Sequence, residues 1–187
     1  MPSTAILILA AGGSRRLGTP KQLLRIDGES LIRRIARRAA ASKADQVLVV
    51  LGYESDTVER ELADLRKVRT ARNSDWRKGM GTSIRRGVQD LADHDAILIS
   101  VCDQPNLTTT ILDELIDRLS DSSTGIVASH YDGTLGVPAI LTQRHFPALI
   151  ALPDDAGAKG LLTHDVDSIE FPLGGIDIDI PRDLEEL

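Results

Sequence analysis

Aromatic side chains make up only 3% of this 187-residue chain, so its core has to be built from aliphatics. A single cysteine, Cys102, excludes an intrachain disulfide and any cysteine-based zinc cluster. Positive charge is in deficit, with 22 Lys and Arg against 28 Asp and Glu and a formal net charge of −6. Nothing in that balance suits nucleic acid or an anionic membrane, and neither partner is expected. The apolar run from Ala5 to Ala11 is too short to span a bilayer and has no basic stretch before it. These shortages together predict a soluble, cytoplasmic protein. Four histidines, His94, His130, His145 and His164, show no metal-ligand spacing.

What the chain does have is length enough for one domain, residues 1–187, and a regular alternation of apolar patterns. TAILILA (4–10), QVLVVL (46–51) and DAILISV (95–101) are near-continuous aliphatic runs, the pattern of strands covered on both faces. Weaker strands are predicted at TGIVAS (124–129), VPAIL (137–141), SIEF (168–171) and IDID (176–179). Leu31, Ile35 and Ala39 share one helical face, leaving Arg33, Arg34, Arg37 and Arg38 to water. Ile111, Leu112, Leu115, Ile116 and Leu119 form a second stripe, preceded by capping threonines at 108–110. The fold class that follows is α/β: a Rossmann-like, mostly parallel sheet with helices on both faces.

In such sheets ligands sit beyond the carboxyl ends of the strands. Three loops are placed there. The first, LAAGGSRRLGTPK (9–21), carries Gly12 and Gly13, which let backbone N–H groups approach an anion, and the cations Arg15, Arg16 and Lys21. It matches neither the Walker pattern nor GxGxxG, and a solvated turn with surface arginines is the plainer alternative. The second, CDQP (102–105), puts Asp103 straight after a buried strand. There it either opens a turn before Pro105 or faces the phosphate loop through a cation such as Mg²⁺. The third, NSDWRKGMGTSIRRG (73–87), holds the chain's one Trp and a Gly-Met-Gly entry to a helix. Ser83 and the first N–H groups of that helix are candidates for an anion or a base edge, and a Trp-anchored loop is the alternative. Asp177 and Asp179 alternate along the last expected strand and point to one face.

LAAGGSRRLGTPKQLL resembles the LAAGxSxRxGxxKxLL signature of MobA-like nucleotidyltransferases. NSDWRKGMGTSIRRG, CDQP, GVPAIL (136–141), DDAGAKGLL (154–162) and DIDIPRDL (177–184) match the later family blocks in order. Within that family the chain is most similar to the molybdenum cofactor cytidylyltransferases. The resemblance implies the nucleotide-diphospho-sugar transferase type of sheet, with CTP and a molybdopterin-type phosphate acceptor as substrates and Mg²⁺ as cofactor. Leu9, Ala10, Ala11, Gly12, Gly13, Lys21 and Ser83 would bind the nucleotide. Arg16, Lys21 and Asp103 would be catalytic, and Asp103 and Asp179 would hold the metal, with Asp177 close behind. Gly136, Pro138, Ala139, Asp155 and Gly157 would bind the acceptor, within the segments Gly136–Ala139 and Asp155–Lys159. Two positions depart from the pattern: Val137 where many relatives have His, and Ile180 where most have Thr.

The residues suit that chemistry. A phosphate nucleophile is already largely ionised near neutral pH, with a second pKa of about 6, and needs no activating triad. It needs charge neutralisation and in-line placement. Two other readings stay open: an NTP transferase for a different phosphate acceptor, and a protein that delivers finished cofactor to a client molybdoenzyme.

Overall fold

The computed structural model describes residues 2–13, 19–163 and 165–177. Its centre is a seven-stranded sheet in the order β5-β4-β1-β6-β8-β7-β9. The strands are β1 (Thr4–Ala10), β4 (Gln46–Leu51), β5 (Val68–Arg72), β6 (Ala96–Val101), β7 (Ile126–Tyr131), β8 (Thr134–Thr142) and β9 (Asp167–Glu170). A two-stranded ribbon, β2 (Arg25–Ile26) and β3 (Glu29–Ser30), stands apart from it. The helices are α1 (Leu31–Ala40), α2 (Ser55–Leu62), α3 (Met80–Asp90), α4 (Thr109–Arg118) and α5 (Phe146–Ile150).

β1 pairs in parallel with β4 and β6, and β4 with β5. β8 runs antiparallel to both β6 and β7, while β9 is parallel to β7. The mostly parallel sheet is therefore as expected, with one reversed strand. Alternation along β1 shows why its whole sequence is apolar. Ile6, Ile8 and Ala10 face a core layer containing Ile32, Ile35 and Ala36 of α1, Val58 of α2 and Leu112 of α4. Ala5, Leu7 and Leu9 face the opposite layer, with Ile84 and Val88 of α3 and Leu149 of α5. The two layers cover both faces. Helix α3 lies close on the sheet: a Cβ at Gly87 would sit 2.3 Å from Leu7 Cδ1.

Several elements differ from the sequence reading. The helix α2 and the edge strand β5 are additional to the elements expected from the sequence. β7 has the expected length but lies two residues further along, β8 is longer than expected, and the two are joined by a two-residue turn, Asp132-Gly133, with φ of 51° and 70°. Asp27-Gly28 repeats that turn between β2 and β3, with φ of 53° and 81°. Positive φ at both central residues is the hairpin turn whose twist matches the strands. Arg38 does not face water: it donates to the carbonyls of Pro105 (2.7 Å) and Leu107 (2.6 Å), fastening α1 to the loop after β6. Ile176 and Asp177 are not in a strand, and the rest of IDID lies outside the described residues. The Thr108 hydroxyl caps α4 as anticipated, accepting from Ile111 N at 3.3 Å. Among the described residues, no helix is long and apolar enough to cross a membrane.

Candidate active site

Because β1, β4, β5 and β6 are parallel, the loops that leave them open at one end of the sheet. They enclose a cleft of about 250 Å³. Its lining comes from Leu9–Gly12 at the end of β1, Lys21 and Gln22, Trp76, the start of α3 (Gly79, Met80, Ser83), and Val101–Asp103 after β6. The three loops picked out by sequence thus meet. Lys21 donates to Asp103 Oδ2, joining the first loop to the second. Arg15 and Arg16 lie outside the described residues.

Trp76 lies against two of the glycines at this end of the sheet, Gly13 in the first loop and Gly52 after β4, while Gly12 has open space beside it. A Cβ at Gly13 would approach Trp76 Cη2 to 3.1 Å, and one at Gly52 would be 2.6 Å from Trp76 Cγ and 2.7 Å from the Ala11 carbonyl. Trp76 therefore both anchors its loop and walls the cleft, with Tyr53 tilted against it at 5.8 Å and the Arg77 guanidinium 4.6 Å over its ring. The Ser83 hydroxyl is nearly buried and accepts from Asn73 Nδ2 at 2.9 Å, which fixes its oxygen at the first turn of α3.

The predicted acceptor segments border this cleft from two sides. Gly81 N donates to the Asp154 carbonyl at 2.8 Å, and a Cβ at Gly79 would collide with Asp155 Cα at 2.6 Å. Asp155 and Gly157 thus sit against the start of α3, with Met80 Sδ 3.3 Å from a Cβ built at Gly157. Arg85 holds that loop by donating to the Ile150 (3.0 Å) and Leu152 (2.8 Å) carbonyls and to Asp154. On the other side Gln104, which follows Asp103, donates to the Val137 carbonyl at 3.0 Å and the Gly174 carbonyl at 2.8 Å. Gly136, Pro138 and Ala139 are buried in β8, and Ala139 has no exposed surface at all, so its side chain belongs to the core and not to the cleft wall. Burial raises the Tyr131 hydroxyl above its ordinary pKa, and the charges of Asp177 and then Asp103 add to the shift.

Asp103 Oδ1 is buried and has no hydrogen-bond donor among the described residues. A carboxylate oxygen in that position is what a hard divalent cation requires, so the residue fits the role of metal ligand. Asp179 lies outside the described residues. Among the described residues no three His, Cys, Asp or Glu side chains form a ligand set. Cys102 is buried, and burial first, then the adjacent Asp103 charge, pushes its thiol up to about 12; it is a packing residue, as expected. Sequence reasoning missed Gln22 and Gln104. Each directly follows a member of the ion pair, but a glutamine in isolation carries no signal.

This sheet order, with a cleft at the strand ends lined by a glycine-rich loop, a lysine and an aspartate, is the nucleotide-diphospho-sugar transferase fold. A Methanothermobacter nucleotidyl transferase superimposes with a TM-score of 0.84, covering 98% of this chain and 95% of its own at 20% identity. The chain belongs to the MobA-like NTP transferase family, whose domain model matches residues 6–169, and it is a nucleotidyltransferase. It is 33% identical over 162 residues to nicotine blue oxidoreductase of Paenarthrobacter nicotinovorans, covering 85% of this chain and 74% of that one. The purine catabolism protein PucB of Bacillus subtilis is 30% identical over 164 residues, covering 83% and 78%. Bifunctional GlmU of Francisella philomiragia is also 30% identical over 144 residues, covering 76% of this chain, which spans only 31% of GlmU. Among solved structures, a Mycobacterium sp. strain JC1 homologue of Mycobacterium tuberculosis rv0371c has a TM-score of 0.81 at 27% identity, covering 98% and 93%.

Proposed function

We propose that this protein is a CTP:molybdopterin cytidylyltransferase, moving CMP from CTP to the terminal phosphate of molybdenum-loaded molybdopterin and releasing pyrophosphate. The observation that carries the transfer chemistry is the meeting of Lys21 and Asp103 beside the Ala11–Gly12 backbone in one cleft. An acceptor phosphate oxygen attacks the α-phosphorus of CTP, the bond from that phosphorus to the bridging oxygen breaks, and pyrophosphate leaves. In this reading Leu9, Ala10, Ala11, Gly12, Gly13 and Ser83 seat the nucleotide. Lys21 and Arg16 offset charge on the triphosphate. Asp103 and Asp179 would hold Mg²⁺, which when bound neutralises phosphate charge and orients the oxygens for in-line displacement. The acceptor lies against the Asp155–Gly157 and Gly136–Pro138 segments that flank the cleft.

Support for cytosine rests on Ala11, a nearly buried residue whose methyl takes up space in the cleft wall. A pyrimidine needs less room there than a purine. The test is pyrophosphate release with each NTP, with and without molybdenum-loaded molybdopterin. Release that depends on both CTP and the pterin is expected. Release with CTP and a sugar or isoprenoid phosphate, but not the pterin, would reassign the acceptor. Tight binding of finished dinucleotide cofactor with no release under any condition would favour the delivery reading.

A further inference from the structure

Gln22 is 1% exposed, and its carboxamide is committed to the loop that leaves β1. Nε2 donates to the Ala10 carbonyl at 2.7 Å and to the Gly12 carbonyl at 2.8 Å. The carbonyl between them, Ala11, accepts from Tyr53 N at 3.1 Å. Three successive carbonyls of the cleft-lining loop are therefore each held by a donor. Oε1 of Gln22 has no donor among the described residues. The amide orientation is nonetheless fixed, because exchanging oxygen and nitrogen would set three acceptors against one another.

We infer that Gln22 is a positioning residue for nucleotide binding: it draws the Ala10 and Gly12 carbonyls away from the polyanion, so that the loop meets phosphate with its N–H groups. A carbonyl oxygen turned toward a triphosphate opposes negative charge with negative charge. The Gly12-Gly13 pair brings no side chain of its own to prevent that turn. The Gln22 carboxamide satisfies two carbonyls from a single buried nitrogen and follows directly on Lys21, so the loop's shape and its cation are set by the same short segment. This rests on the reading that the cleft takes a nucleoside triphosphate.

The test is direct calorimetric binding of Mg²⁺–CTP and of tripolyphosphate to wild-type protein and to Gln22→Met, which keeps the side-chain length and removes both hydrogen bonds. Loss of two bonds of ordinary strength predicts roughly 10-fold weaker binding of both probes, with KM for the nucleotide rising by a similar factor and kcat changing less. A purely structural role would lower the melting temperature and leave the affinity of the folded fraction unchanged. Unchanged affinity for both probes in a folded Gln22→Met protein overturns the inference alone. Weakened CTP binding with normal tripolyphosphate binding also overturns it, since phosphate would then be insensitive to the loop's carbonyls. Wild-type protein that binds neither probe contradicts the nucleotide reading and this inference with it. Should Gln22→Met fail to fold, exchange of the wild-type Gln22 carboxamide protons decides. Slow exchange, slower still with tripolyphosphate, is expected, and exchange at the solvent rate overturns the inference.

Discussion

Lys21 and Asp103 form an ion pair between loops that leave adjacent parallel strands, β1 and β6, and both side chains are mostly covered. The two are bound to each other in the absence of substrate. In the proposed transfer a triphosphate and its cation would divide the pair, Lys21 turning to phosphate and Asp103 to metal.

Asp103→Asn should retain the fold and lose turnover, by about 100-fold or more, as expected for loss of a preorganised charge at the reacting centre. Its affinity for metal-free nucleotide should match or exceed that of the wild type, because the Asp103 charge no longer competes with phosphate for Lys21. Lys21→Ala should lower kcat by about 100-fold or more, not simply raise KM. Turnover like that of the wild type in Asp103→Asn at saturating Mg²⁺ would remove Asp103 from the mechanism.

Base choice is predicted to follow Ala11. CTP should be preferred over GTP in kcat/KM by roughly 10-fold to 200-fold, the range expected of steric fit in one pocket. Ala11→Gly should narrow the gap by admitting GTP. A wild-type preference for GTP would end the cytidylyl assignment.

Gly87→Ala tests the packing that carries α3, and with it Ser83, onto the sheet. The added methyl would fall 2.3 Å from Leu7 Cδ1, inside a core with no slack. Overpacking of this kind should cost about 1–3 kcal/mol, read as a lower urea midpoint at constant m-value. An unchanged midpoint would mean that the two elements move apart without strain.

Cys102 should resist alkylation at pH 8 in the folded protein and react once it is unfolded. Burial pushes the folded thiol up to about 12 from its ordinary 9.0, so the unfolded chain releases that proton first. Stability from the neutral buried thiol is therefore intact below about pH 9 and is lost as pH rises toward 12. Cys102→Ala should show a flatter decline over that window in denaturant titrations. Identical slopes in the two proteins would place the alkaline sensitivity elsewhere.

The central strands were legible because burial on both faces leaves few polar positions to interrupt them, Ser100 being the one inside β6. β5, VRTAR, was not singled out as a strand: it is an edge strand, and only Ala71 of it is buried. Helix α2 buries just Val58 and Leu62, too few apolar positions to form a stripe. The reversed direction of β8 is set by the Asp132-Gly133 turn, whose Asp-Gly pair is the hairpin signal in the sequence. In the site, charged and glycine-rich loops declared themselves by composition. The carboxamides of Gln22 and Gln104 did not, because their work is to reach backbone carbonyls on other segments, and only the fold brings those within range. Arg38 read as solvent-facing because helical period places it with Arg34 and Arg37, whereas its length lets it reach the carbonyls of the β6 loop.

Nucleotidyl transfer is tested most directly by following label from CTP in a single turnover with molybdenum-loaded molybdopterin. Label at the α-phosphorus should move into the pterin product, and label at the γ-phosphorus should leave as pyrophosphate. Transfer of γ-label to the acceptor, or no transfer of either with CTP bound, would contradict the account.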